Sequence, residues 1–363
     1  MINNRLKYLI ASIGVAFAVF LMMFQVSLFM GFLKASSVVI DAAGGDIWIT
    51  AHGVACFEHS APIPSRIREI ALATPGIKKI DRIIADYGVY QTPSGGRETI
   101  LVIGTDIEGK TRLPLPMDGA NVRMPQSALI DESRMERLGV IDVPWESEIN
   151  RHRVKIINKI TGFASFLEIS YVFVSYPDAI ELLNYSDQKA SYLLIETAMG
   201  TSIPMVQQQL QRRLPEFDVL TQAEFSRKAS RYWLNRTGVG NAVLLTALIG
   251  LVIGFIIVSQ TMYAATMDAI EEFATLKALG ASDWFIIKII LWQASICAVA
   301  GSVAGFVAVF PFLKLAKTVI AFIDTPAWLP YAIFLLTLLI CWLAAITSIR
   351  RAVTIEPGRV FRA

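Results

Sequence analysis

The chain has 363 residues, 54% of them apolar, with a mean hydropathy of +0.53 and a formal net charge of +3. It is too apolar for a water-soluble domain of this length, and so small a net charge argues against nucleic acid as a partner. Three cysteines, Cys56, Cys297 and Cys341, stand in separate contexts, two of them inside apolar runs, so neither a disulfide framework nor a redox compartment follows. The composition is that of a membrane protein.

The first apolar run, Tyr8 to Leu33, carries no charge and follows Arg5 and Lys7. A cleaved secretory signal would have a shorter apolar core, about 7 to 15 residues, and a small-residue cleavage site, so this run predicts a retained membrane helix. Comparable charge-free runs cover Thr237 to Met267, Ile289 to Leu313 and Thr325 to Ile349. Each exceeds the roughly 20 residues a crossing needs, and an ionised group at mid-depth would cost about 3 kcal/mol. Four transmembrane α-helices are therefore expected. Basic residues of short flanks stay inside, which puts Arg5 and Lys7, and Arg350, Arg351, Arg359 and Arg362 beyond the fourth run, in the cytoplasm; Lys314 and Lys317 count against this orientation but are outweighed.

Between the first two runs, residues 36–236 predict a large extracytoplasmic α+β domain. Strands are expected at Asp46 to Thr50, Ile77 to Tyr90, Glu98 to Gly104, Val154 to Ile160, Ile169 to Val174 and Ser191 to Glu196, and helices at Pro64 to Ala73, Pro177 to Leu183, Pro204 to Leu214 and Gln222 to Asn235. Pro93-Ser94-Gly95-Gly96 is the turn between the second and third strands.

Two patterns in this domain imitate chemistry. Gly104 to Thr111 satisfies G-x-x-x-x-G-K-[ST], yet a phosphate loop needs a helix after its Lys and Thr, and Pro114 and Pro116 break one there. Ala128 to Glu132 imitates a Walker B strand and Ser94 to Arg97 an ABC signature, but their order and spacing are wrong. His52, Cys56, Glu58 and His59 gather zinc-type ligands within a loop that offers no further partner. Asp41, Asp46 and Asp81 form no acid–base pair, and no nucleophile triad stands out. No catalytic, cofactor or metal residue is assigned, and the chain reads as a non-enzyme.

The second run, if helical, spans about 46 Å against a hydrocarbon core of about 30 Å, so it projects beyond the bilayer. Gly250/Gly254 in it and Gly301/Gly305 in the third run are small-xxx-small pairs suited to close helix packing, within one subunit in preference to across a dimer. Between these runs lies Thr266 to Ser282. As a helix it groups Ile270, Phe273, Ala274 and Leu276 on one side and Asp268, Glu271, Glu272 and Lys277 mostly on the other. Gly280 suits a left-handed C′ position and Ser282 the N-cap of the next helix.

Glu272 to Ser282 resembles the coupling segment of FtsX-type ABC permeases, with DevC-type exporters the nearest subgroup, and Ile355-Glu356-Pro357-Gly358-Arg359-Val360 resembles that family's Pro-containing tail. The resemblance, which includes MacB-type pumps, implies a coupling helix docked on a separate cytoplasmic ATPase subunit, with ATP hydrolysed there. The ATPase-coupling residues would be Ile270, Glu271, Glu272, Phe273, Leu276, Lys277 and Gly280, with Phe273 as the apolar anchor and Glu271 and Glu272 toward a basic rim. It further implies a homodimer in a bacterial inner membrane, a periplasmic adaptor (membrane fusion protein), an outer-membrane channel, and a stalk that carries motion to the external domain. Relatives that signal to cell-wall hydrolases without transport are the alternative within the family; a membrane-anchored scaffold is the alternative outside it. On this reading the chain divides into 1–35 (first helix), 36–236 (external domain), 237–265 (second helix), 266–282 (coupling helix), 283–314 (third helix), 315–326 (external loop), 327–349 (fourth helix) and 350–363 (tail). One departure is that the basic amphipathic helix common before the first span is matched here only by Met1 to Lys7.

Overall fold

The computed structural model describes residues 2–106, 111–115, 124–167, 169–236 and 238–353, with the side chains of 2–10, 262, 265, 273 and 346–353 outside that description. The described residues fall into two compact units, one of those up to Gly31 together with those from Asn241 on, the other Phe32–Gly240.

Helix α1 (Ile2–Ala35) passes from the first unit into the second, where α2 (Val38–Ala43) follows. The second unit continues with β1 (Ile47–Ala51), β2 (Ile63–Pro64), α3 (Arg66–Leu72), β3 (Ile77–Gln91), β4 (Arg97–Thr105) and β5 (Ser127–Asp131). A 3-10 turn at Glu132–Arg134 leads to α4 (Met135–Leu138), then β6 (Trp145–Ile149), β7 (His152–Ile160), β8 (Ser170–Ser175) and α5 (Tyr176–Leu183). The unit closes with β9 (Lys189–Ala190), β10 (Tyr192–Thr197), α6 (Ile203–Arg213), β11 (Phe217–Thr221) and α7 (Gln222–Asn235).

Strand β3 is the spine of this unit. Its first half pairs with β10 and its second half with β4, and Ile83 has partners on both sides, Tyr192 and Thr105. Toward one end the order β11-β1-β10-β3 forms a sheet; toward the other, β3-β4-β8-β5-β7-β6 returns to β3 through Tyr90↔Ile149 and Gln91↔Glu148, closing a barrel of those six strands. Period-two alternation fills both lobes. In the open sheet Ile47, Ile49, Leu193 and Ile195 face α3 and α6, while Trp48 and Tyr192 join Phe57 and Phe225 in an aromatic cluster beneath α7. In the barrel Ile84, Ile100, Val102, Ile130, Val154 and Val172 form the core, with α5 packed on it. Each such side chain contributes about 1.5–3 kcal/mol on burial.

Helix α7 matches the expected Gln222 to Asn235, and its start is a capping box: Thr221 accepts from the Glu224 amide and Glu224 accepts from the Thr221 amide. Strands β6 and β11 were not expected. In β6 the sequence Trp-Glu-Ser-Glu-Ile is mostly polar and belongs to a half-buried strand, and β11 is a five-residue link between helices.

The first unit contains α8 (Val239–Asp268), α9 (Ile270–Ala278), α10 (Asp283–Val319) and α11 (Leu329–Val353). Among the described residues, three helices are long and apolar enough to cross a bilayer: Ala11–Ala35 of α1, α8 and α10. The expected fourth span falls on α11, whose apolar stretch with described side chains, Leu329–Ala345, is shorter than a crossing. Two boundaries also move: α8 continues to Asp268, so the helix of the expected coupling segment begins at Ile270, and α10 runs on through Lys314 and Lys317 to Val319.

Candidate functional site

The turn between α9 and α10 is built as the sequence predicts. Gly280 has φ +93°, its amide donates to the Lys277 carbonyl at 3.0 Å, and the Ala281 amide donates to the Leu276 carbonyl at 3.0 Å, the paired bonds of a Schellman motif. Two residues on, the Ser282 hydroxyl accepts from the Phe285 amide at 3.3 Å and caps α10. Glu271 and Glu272 lie in the first turn of α9 and Lys277 in its last, the arrangement a helix dipole favours. Lys277 also pairs with Asp283 of α10 at 3.1 Å, tying the two sides of the turn together.

The apolar side of α9 packs on its own unit. Ala274 is buried, Leu276 packs against the helical core, Ile270 is half-buried, and α9 lies against α11. The Phe273 side chain lies outside the described residues. What α9 presents outward is Glu271, Glu272, Thr275 and Ala278, followed by Leu279, 81% exposed. Trp284 and Phe285 add exposed apolar surface just past the turn. Leu279 was missed by helical periodicity; the signal that could have marked it is a large apolar residue directly before a C′ glycine.

Both glycine pairs close on α1. A Cβ at Gly301 would sit 2.6 Å from Val15 Cβ, and one at Gly305 2.9 Å from Val19 Cβ and 2.8 Å from the Ala16 carbonyl oxygen. A Cβ at Gly250 would meet Gln25 Cγ at 2.6 Å, and one at Gly254 Met22 Cγ at 2.9 Å. α10 thus approaches the α1 backbone, and α8 the α1 side chains, as closely as small residues permit. Gly31 was not singled out by the sequence, yet a Cβ there would overlap the Phe322 carbonyl and crowd the Asp324 amide of the α10–α11 loop. That loop is further held to α1 by Thr325 Oγ1, 3.1 Å from Ser27 Oγ.

The imitations of chemistry resolve into structure. Of the phosphate-loop pattern, residues 107–110 lie outside the described residues; Gly104 lies in β4, where a Cβ would overlap Ala179 of α5, and 111–115 are not helical. The Thr111 amide donates to Asp81 Oδ2 at 3.1 Å. Ala128–Asp131 is the inner part of β5, and Asp131 Oδ2 accepts from the Phe163 amide. His52 pairs with Asp218 at 2.8 Å on the surface, whereas His59 meets Tyr232 edge-on and Trp233 at a tilt. Glu58 is buried and accepts from the Tyr171 hydroxyl at 2.9 Å and the Trp233 indole at 3.3 Å. Burial pushes its carboxyl above the usual range and, with the nearby carboxylate, pushes the Cys56 thiol to about 12. Among the described residues no group of metal-ligating side chains assembles.

Known proteins resemble the chain in both units. Residues 244–357, which enclose α9, its turn, α10 and α11, match the family described as FtsX-like permease C-terminal. An uncharacterized ABC transporter permease of Mycobacterium tuberculosis is 20% identical over 360 residues, 99% of this chain and 96% of the relative. One from Mycobacterium bovis is 20% identical over 371 residues, with the same coverage. Among solved structures, the periplasmic region of MacB from Actinobacillus actinomycetemcomitans is 9% identical, with a TM-score of 0.37 over 53% of this chain and 96% of that one. The extracellular domain of the noncanonic ABC-type transporter YknZ from Gram-positive bacteria is 12% identical, with a TM-score of 0.35 over 48% and 98%.

Proposed function

We propose that this chain, an ABC transporter permease of the FtsX type, is the membrane subunit of an exporter that passes the motion of a separate cytoplasmic ATPase to its external domain. The observation that carries the proposal is α9: a short helix with acids in its first turn, seated on its own helical unit and joined to α10 by a bonded turn, within the family-matched segment. A load applied to such a helix passes to α10 directly, because the Schellman bonds, the Ser282 cap and the Lys277–Asp283 pair leave little slack. From α10 it reaches α1 at Gly301 and Gly305, and α1 runs on to Ala35 in the external unit.

In this reading α11, 25 residues and about 37 Å long, makes the fourth crossing. Both termini are cytoplasmic, the membrane is a bacterial inner membrane, and the working unit is a homodimer with two ATPase subunits, a periplasmic adaptor and an outer-membrane channel. The docking surface is the outward face of α9, Glu271, Glu272, Thr275 and Ala278, with Leu279 as its apolar contact.

The test is co-purification of the ATPase and permease-stimulated hydrolysis. Full burial of a leucine is worth about 1.5–3 kcal/mol, so Leu279→Ala should weaken association by roughly tenfold, whereas a rim change, Glu271→Gln, should do little. Unchanged association and stimulation in a folded Leu279→Glu permease would remove this face from the docking site. Substrate movement in reconstituted vesicles containing the ATPase distinguishes export from signalling alone.

A further inference from the structure

Helix α7 is two-faced. Phe225, Ala229 and Trp233 are buried at four-residue spacing, while Arg227 and Arg231 repeat on the exposed side and Arg236 follows the helix end, also exposed. The charges on this face are unequally answered. Glu224 is occupied by the Thr221 amide at 2.8 Å and Gln207 Nε2 at 2.6 Å, and Lys228 pairs with Asp218 at 2.8 Å. Among the described residues, no carboxylate makes an ion pair with Arg231 or Arg236. These arginines, with Lys228 and Tyr232, line an open cleft of about 470 Å³.

Two connections fix where this cleft lies along the chain. Ser36, the residue after the apolar helix α1, donates from its hydroxyl to Ser230 Oγ at 2.9 Å, and Ser230 lies between Arg227 and Arg231 in sequence. At the other end, residues 236–238 alone separate α7 from the apolar helix α8, a link that can span at most about 10 Å. The headgroup zone adds roughly 5–8 Å on each side of the hydrocarbon, within reach of an arginine side chain that extends from the cleft. Guanidinium groups bind phosphate through paired hydrogen bonds, and tyrosine favours the membrane interface.

We propose that the arginine face of α7 binds the phosphate headgroup of anionic membrane lipid, holding the root of the external unit at the bilayer surface. The site acts on whichever leaflet α7 meets, so it does not depend on the export reading. Lipid is favoured over a soluble acidic partner because both ends of the site are tethered to apolar helices of crossing type.

The full chain is reconstituted into phosphatidylcholine vesicles carrying spin-labelled phosphatidylglycerol or spin-labelled phosphatidylcholine, and the immobilised lipid fraction is read by electron paramagnetic resonance. A basic residue near the surface is worth about a fivefold preference for anionic lipid, so Arg231→Gln/Arg236→Gln should lower the phosphatidylglycerol preference at least severalfold, while Arg231→Lys should keep most of it. Basic residues elsewhere add a background that wild type and variant share. Both positions are exposed, and unchanged circular dichroism confirms that the variant is folded. Millimolar inorganic phosphate should leave the preference intact. The proposal is overturned by an unchanged preference in the double variant, by displacement with inorganic phosphate, which would mark a free-anion site, or by loss of an acidic protein partner with lipid preference intact.

Discussion

Gly280 offers a test in which backbone strain separates from contact. Its φ of +93° is a conformation that L side chains rarely adopt, but a Cβ built there meets nothing within 4 Å. A substitution therefore acts through the backbone alone, at about 1–2 kcal/mol for alanine and more for a β-branched residue. At 1.4 kcal/mol per tenfold, Gly280→Ala shifts the turn's equilibrium about tenfold away from the bonded form, and Gly280→Val shifts it further. The strained turn loses the Ala281–Leu276 and Gly280–Lys277 bonds, so α9 is misplaced relative to α10. Asparagine tolerates the left-handed region, and Gly280→Asn should recover most of the loss. The assay is permease-stimulated ATP hydrolysis alongside ATPase co-purification, with the expected order Gly, Asn, Ala, Val. If Asn is as damaging as Val, the position is sensitive to volume and touches the partner; if Val matches wild type in a folded permease, the turn does not transmit load.

Other outcomes follow from the same geometry. Gly301→Ala and Gly305→Ala should each destabilise the detergent-solubilised protein by about 1–3 kcal/mol through overpacking against α1, without changing its oligomeric state; a change of oligomer at constant stability would move these glycines to a subunit interface. Burial raises the Glu58 pKa above its unfolded value, so its contribution to stability is full below that value, about 4.3, and is lost as pH rises through the folded one. Glu58→Gln should flatten that decline in thermal unfolding followed by tryptophan fluorescence, and an equal decline in both proteins would exclude Glu58 as its source. The three native cysteines are buried and Cys56 is pushed to about 12, so the wild-type protein should resist maleimide until it unfolds. Against that low background, Ala278→Cys should react only with reagents that enter the cytoplasm and Ser94→Cys only from outside; labelling on the same side would overturn the proposed topology.

Those predictions draw on features that differ in how far the sequence reveals them. Local signals were readable because each one is a complete physical cause: Ser282 caps α10, and Gly280 supplies the left-handed conformation that ends α9. The charge-free runs behaved likewise for α1, α8 and α10, since length and polarity decide crossing. Closure of the barrel was not readable, because it depends on Tyr90 meeting Ile149 across 59 residues, and neither strand carries a mark of its partner. The same limit applied to α9. Periodicity identified an apolar side containing Ala274 and Leu276, but whether that side meets a partner protein or α9's own unit is a tertiary question, and here the unit's core takes Leu276. It follows that the surface left for a partner is the complement of the apolar stripe, where Glu271, Glu272 and Leu279 sit. An ATPase that engages this face would meet acids ringed around one large apolar side chain, so its own cleft should pair basic groups with an apolar floor. Charge reversal on that cleft should then be rescued by reversal at Glu271 and Glu272, and a failure of rescue with both proteins folded would place the contact elsewhere.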